Sequence, residues 1–188
     1  MRLSLIIAAL AVASPLTLPS APLRRSALAA RPLSLRSSNL VAMAPATDIS
    51  ELQLPPALDK IVRGFQMVPD QKLRYQQLLF FAAKLGPMDE ALCTDKNKVP
   101  GCLSTVYVHV ERGEGDALKF YGTSDAQLTK GLVALLVNGL SGATSEQIQA
   151  IKPEFIQACG LGASLTPGRN SGFLNMLAKM KQQAAAVP

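Results

Sequence analysis

The sequence predicts an α+β fold, with a small antiparallel β-sheet packed against helices, on three observations. Apolar residues recur at helical spacing on both sides of the chain's middle. They alternate with polar residues over one short central stretch, and the two patterns do not interleave. Helix, helix, hairpin, then helices is the order of a fold that segregates its helices from its sheet. The sheet needs only the hairpin, with a possible third strand beside it.

The elements follow in order. From Leu52 to Val68, Leu58, Ile61, Val62 and Phe65 fall on one helical face, with Pro55 and Pro56 in the first turn, where proline is tolerated. A second helix is expected from Pro69–Asp70 to the stop at Gly86 and Pro87, with Leu73, Tyr75, Leu78, Leu79, Phe81 and Ala82 as core. The next stretch, GPMDEALCTDKNKVPGC, is polar and aperiodic, a loop. The period then changes to two: Val106, Val108 and Val110 point one way, and Thr105, Tyr107, His109 and Glu111 the other. The turn at 113–115 leads to a partner strand with Leu118 and Phe120 on one face. Ser124 with Gln127 three residues on reads as a capping box opening a helix whose stripe is Leu128, Leu132, Leu135 and Leu136. A short helix starting at Ser145 or Pro153 runs to Ala158. A last one carries Phe173, Leu174, Leu177 and Met180.

The 188 residues divide into an address and a domain. Residues 1–47 hold five of the 19 basic residues, all arginine, and no carboxylate. The remaining 14 basic residues face 13 acidic ones, so the net charge of +6 falls to +1 once 1–47 is set aside. The basic balance therefore belongs to the leader, and no basic stripe interleaved with aromatics argues for nucleic acid. Within the leader, 1–21 is signal-like: LSLIIAALAVA follows Arg2 and is too short to span a bilayer. Residues 22–47 are rich in Arg and Ser and resemble a transit peptide. Together they suggest a plastid address, through a bipartite leader or a single unusual one, with mitochondrion as second choice. No membrane association is expected of the mature form. Residues 48–188 form the domain. Its three cysteines, Cys93, Cys102 and Cys159, are too few and too irregular for a disulfide framework and fit a reducing compartment.

Cys102 ends the loop immediately before the first strand, preceded by Pro100 and Gly101. A thiol at a loop tip can be offered to a partner, and Lys96 and Lys98 lie close enough in sequence to favour its thiolate. The alternative is a small apolar residue covering a sheet edge. Cys93, in the same loop, could serve as a second thiol, and Cys159 reads as packed. His109, Cys93 and Cys102 match no zinc spacing. Neither a phosphate loop nor a nucleophile elbow is present.

Three segments carry a resemblance. VPGCLSTVYV is similar to the acceptor-cysteine signature of the SufE family. YGTSDAQLTKGLVALLV resembles its helix-start motif, and SLTPGRNSGFLNMLAKMK its C-terminal motif. The similarity runs from about residue 55 to 183 with the motifs in order. It departs from the usual pattern in Tyr107, where many relatives carry Trp, and in the additional Cys93. The resemblance implies the α+β fold shared with U-type iron–sulfur scaffolds. It further implies that Cys102 accepts persulfide sulfur from a SufS-like, pyridoxal-phosphate cysteine desulfurase, stimulating that enzyme and passing sulfur to a SufBCD-type scaffold. The chain would then be a carrier and activator rather than an enzyme, with no cofactor or metal of its own and with a homodimer left open. Ser104, Asp125, Lys130 and Arg169 match motif positions and become candidate supporting or partner-binding residues. Asp125 could equally be a carboxylate favoured by a helix dipole, and Arg169 a structural salt bridge. The implied loop would shelter Cys102 against the first strand and last helix. The alternatives are a U-type scaffold, which needs several converging cysteines, and a thiol oxidoreductase, for which no Cys-x-x-Cys exists.

Overall fold

The computed structural model describes residues 49–162 and 165–187. The leader expected at 1–47 lies outside the described residues. Pro56 fixes where the first helix begins. Its ring keeps Pro55 extended, at φ −55° and ψ 149°, so α1 spans Pro56–Gln66 rather than starting near Leu52. A single 3₁₀ turn, Ser50–Leu52, precedes it. Leu58, Val62 and Phe65 of α1 are buried as expected.

Helix α2, Gln71–Lys84, opens on Asp70, whose carboxylate accepts a hydrogen bond from the Leu73 amide (3.0 Å). Only Leu78 and Ala82 are fully buried, with Tyr75 and Phe81 partly packed. Leu73 and Leu79, expected in the core, are exposed. They lie off the arc that α2 presents to its main neighbour, the later helix spanning Gln127–Leu140.

Strands β1 (Val106–Arg112) and β2 (Leu118–Ser124) pair antiparallel, Val106 opposite Ser124 and Arg112 opposite Leu118. Val106, Val108, Val110, Leu118 and Phe120 are buried. On the far edge of β1 the possible third strand is reduced to one bridge, Lys98 opposite Tyr107. Val99 N–H donates to Val106 O and Val108 N–H to Asn97 O, both at 2.9 Å. Pro100 follows and has no N–H to extend the ladder.

Helix α3 spans Gln127–Leu140 without the expected capping box. Pairing with Val106 makes Ser124 the last residue of β2, and its hydroxyl accepts from the Ala126 amide (3.3 Å) instead. The same side-chain pattern does cap α4 (Ser145–Ala150): Thr144 accepts from Gln147 N–H, and Gln147 Oε1 accepts from Thr144 N–H. The helix expected up to Ala158 is thus two, α4 and α5 (Phe155–Ala158), separated by Pro153. Helix α3 is apolar nearly all round because α1, α2 and β2 all pack on it. Helix α6, Pro167–Ala186, closes the fold over β1 and α4 through Phe173, Leu177 and Met180, while Leu174 faces outward, against expectation.

Candidate functional site

The segment leading to Cys102 is built in two parts. The first is fixed. Asn97 is buried; its Nδ2 donates to Leu92 O (2.8 Å), and its Oδ1 accepts from Gln183 Nε2 (3.1 Å) of α6, which also donates to Val108 O. The second part begins where the Val99–Val106 bond closes a loop over residues 100–105. Gly101 sits there at φ +70°, the left-handed region that other residues enter only at a penalty. The sharp turn brings Cys102 back over the start of α6.

Four side-chain contacts hold this tip. Asn175 Nδ2 donates to Pro100 O (3.1 Å). The Cys102 thiol donates weakly to Gly172 O, with sulfur and oxygen 3.6 Å apart. The Ser104 and Thr129 hydroxyls share a hydrogen bond of 3.2 Å. Thr105 N–H donates to Asp125 Oδ1 (3.1 Å). Asp125 precedes the first residue of α3 and is bonded to the loop, so the dipole role considered for it is not the contact it makes.

Cys102 is half-buried and faces a pocket of about 280 Å³ that is partly open to solvent. Ser104, Thr129, Leu132, Arg169 and Met176 line it with the thiol. The sheltering surface is therefore α3 and α6, not the first strand. Burial pushes the Cys102 thiol up from its usual range, and neither Lys96 nor Lys98 offsets that shift. The shift favours the protonated thiol over the thiolate.

Of the sequence-derived candidates, the structure brings Ser104 and Arg169 to the same pocket as Cys102. Arg169 is exposed and has no hydrogen-bond or ion-pair partner among the described residues, so the salt bridge considered for it does not form. Asp125 holds the loop's far arm, and Lys130 lies outside the pocket lining. Thr129, Gly172 and Asn175 were missed. They are small or polar residues on helices, and only their proximity to the loop gives them a task.

The other two thiols differ. Cys93, half-buried, makes a weak contact to Asp89 O (3.8 Å). Cys159 is wholly buried, and its thiol is pushed up to about 12 by desolvation, with Arg74 acting the other way. His109 Nε2 lies 3.3 Å from Glu111 Oε1 on the exposed face of β1. Among the described residues, no three of His, Cys, Asp and Glu converge as a metal site would require. A thiol offered on a short loop over a sheltering pocket suits transfer of one atom by thiol exchange rather than assembly of a cluster.

Known proteins place this geometry. Residues 59–184 match the SufE family model, described as an Fe-S metabolism associated domain. The chain is 48% identical over 154 residues to an uncharacterized SufE-like protein of Synechocystis sp., covering 82% of this chain and 92% of that one. It is 46% identical to the Arabidopsis thaliana SufE-like protein 1, chloroplastic/mitochondrial, covering 70% of this chain and 36% of the relative. The cysteine desulfuration protein SufE of Plasmodium vivax is 42% identical, with 75% of this chain and 58% of the relative covered. The chain thus spans about a third of the plant relative and somewhat under two thirds of the Plasmodium one. A solution structure of a hypothetical protein from Thermus thermophilus superposes with a TM-score of 0.62 at 29% identity, over 71% of this chain and 96% of that one. With the family model covering most of the described residues and the fold in agreement, the chain belongs to the SufE family.

Proposed function

We propose that this chain accepts sulfur for iron–sulfur metabolism on Cys102, from the persulfide of a cysteine desulfurase. The observation that carries the assignment is a half-buried thiol on a loop anchored at both ends by the Val99–Val106 bond, facing a pocket with room to spare. A volume of about 280 Å³ is several times the roughly 30 Å³ share of a water molecule. One added sulfur atom fits without repacking.

The chemistry is an exchange. Cys102 gives up its proton, and its sulfur attacks the outer sulfur of the partner's persulfide. A new S–S bond forms on Cys102, the partner's S–S bond breaks, and the partner's thiolate leaves with that electron pair. No net oxidation occurs. Because burial raises the Cys102 pKa, the closed loop lowers the share of reactive thiolate, and moving the tip out of the pocket relieves that burial. Removing the product sulfur frees the desulfurase for another turnover, which makes this chain an activator and carrier rather than a catalyst. The sulfur then passes to a SufBCD-type scaffold. Ser104 and Arg169 line the pocket that would hold the loaded group, and Asp125 holds the closed loop. A U-type scaffold role is not favoured. The acid-free, Arg-rich leader and the chloroplastic names of relatives support a plastid destination, with mitochondrion second.

The test is mass spectrometry after incubation with a cysteine desulfurase and L-cysteine. One added sulfur on the Cys102 peptide is expected, with none in Cys102→Ser and no stimulation of the desulfurase by that variant. Sulfur found on Cys93, or equal stimulation by the variant, ends the proposal.

A further inference from the structure

The residue after the acceptor thiol stands in an unusual position. Leu103 is 84% exposed, more than any other large apolar side chain among the described residues. An exposed leucine alone says little. Here its two neighbours both turn inward: Cys102 to Gly172 O and Ser104 to Thr129. Leu103 is left at the pocket rim, largely in solvent. It rests over the backbone at Gly168, in the first turn of α6. A Cβ there would come within 2.6 Å of Leu103 Cδ1, so the missing side chain is what lets the leucine lie down.

We propose that Leu103 is an apolar anchor that enters the cysteine desulfurase together with Cys102 and sets the affinity of the encounter. This inference rests on the sulfur-acceptor assignment above. Consecutive Cα atoms are about 3.8 Å apart, so a partner that admits the Cys102 sulfur to its persulfide must also seat the next side chain. The leucine leaves little behind, because its resting seat buries so little of it. Placing it in an apolar recess beside the partner's persulfide therefore removes apolar surface from water at small loss to this chain. The partner's complementary feature is such a recess at the mouth of its active site. Nothing in the transfer chemistry requires the leucine, so its effect falls on binding.

The experiment titrates desulfurase turnover with the full chain, as wild type, Leu103→Gln and Leu103→Met, alongside the iodoacetamide alkylation rate of Cys102 without desulfurase. For Leu103→Gln the half-saturating concentration is expected to rise about ten-fold at unchanged maximal stimulation. Leu103→Met stays within about two-fold of wild type, and alkylation changes by less than about two-fold in either variant. An unchanged half-saturating concentration in Leu103→Gln overturns the anchor while leaving the sulfur-acceptor assignment standing. A loss of maximal stimulation, or alkylation moving by the same factor as half-saturation, also overturns it by placing the effect in chemistry or loop opening. Absence of stimulation by wild type brings down the assignment itself.

Discussion

Cys102 and Cys159 are the same functional group in one chain, and their surroundings divide the labour between them. Cys159 ends the four-residue helix α5, is 0% exposed, and has its thiol pushed up to about 12. Cys102 sits on a loop tip held by a few hydrogen bonds, one of them a weak S–H contact, beside a partly open pocket. Both lie beside a glycine, but Cys159 follows the last residue of a helix while Cys102 lies in the loop that enters a strand. What differs is the number of contacts that must break before the sulfur meets another molecule. For Cys102 these are Asn175, Gly172, Thr129 and Asp125; for Cys159 it is the core itself.

The comparison is broken most directly by Cys159→Ser. A hydroxyl in that apolar site replaces a weakly polar thiol and is expected to lower stability by about 2 kcal/mol in urea denaturation, with stimulation of the desulfurase unchanged for the folded fraction. Cys102→Ser should stay within about 0.5 kcal/mol of wild type, because the half-exposed site tolerates a hydroxyl. Equal stability losses in the two variants would mean that the loop thiol is as structural as the core one.

Alkaline pH sharpens the same contrast. The folded pKa of Cys159, about 12, lies above its ordinary value of 9.0, so its contribution to stability is complete below pH 9 and is lost as pH rises toward 12. Within that window the slope is about 1.4 kcal/mol per pH unit. Denaturation of wild type and Cys159→Ala at pH 8, 9 and 10 should show the wild type losing this increment relative to the variant above pH 9. Parallel curves would show that the buried thiol is not being held protonated.

The sequence was legible wherever one period governed an element. Val106, Val108 and Val110 alternate because one face of β1 is buried, and Cys102 stood out because Pro100 and Gly101 mark a loop tip. Where two devices competed, the sequence misled. Ser124 and Gln127 have capping-box spacing, but strand pairing claims Ser124, while Thr144 and Gln147, at the same spacing, do form the box. Leu73 and Leu79 looked like core because α2 is apolar around much of its circumference, and only docking on α3 selects an arc. Thr129, Gly172 and Asn175 carried no signal because their roles depend on where Cys102 lands.

The finest distinction between the two thiols is the strength of the loop's individual ties. Asn175 Nδ2 donates to Pro100 O on an exposed part of the surface, without touching the Cys102 sulfur. An exposed neutral hydrogen bond contributes about 0.5–1 kcal/mol net. Removing it with Asn175→Ala should therefore raise the open fraction of the loop about two- to five-fold, given RT of about 0.6 kcal/mol. If closing outpaces labelling, iodoacetamide modification of Cys102 accelerates by that factor. Cys159 stays unlabelled in both proteins over the same interval, because the side chain removed holds the loop and not the core. An unchanged Cys102 rate would mean that the remaining ties alone keep the loop shut, and labelling of Cys159 in step with Cys102 would mean that the tip opens only when the whole domain unfolds.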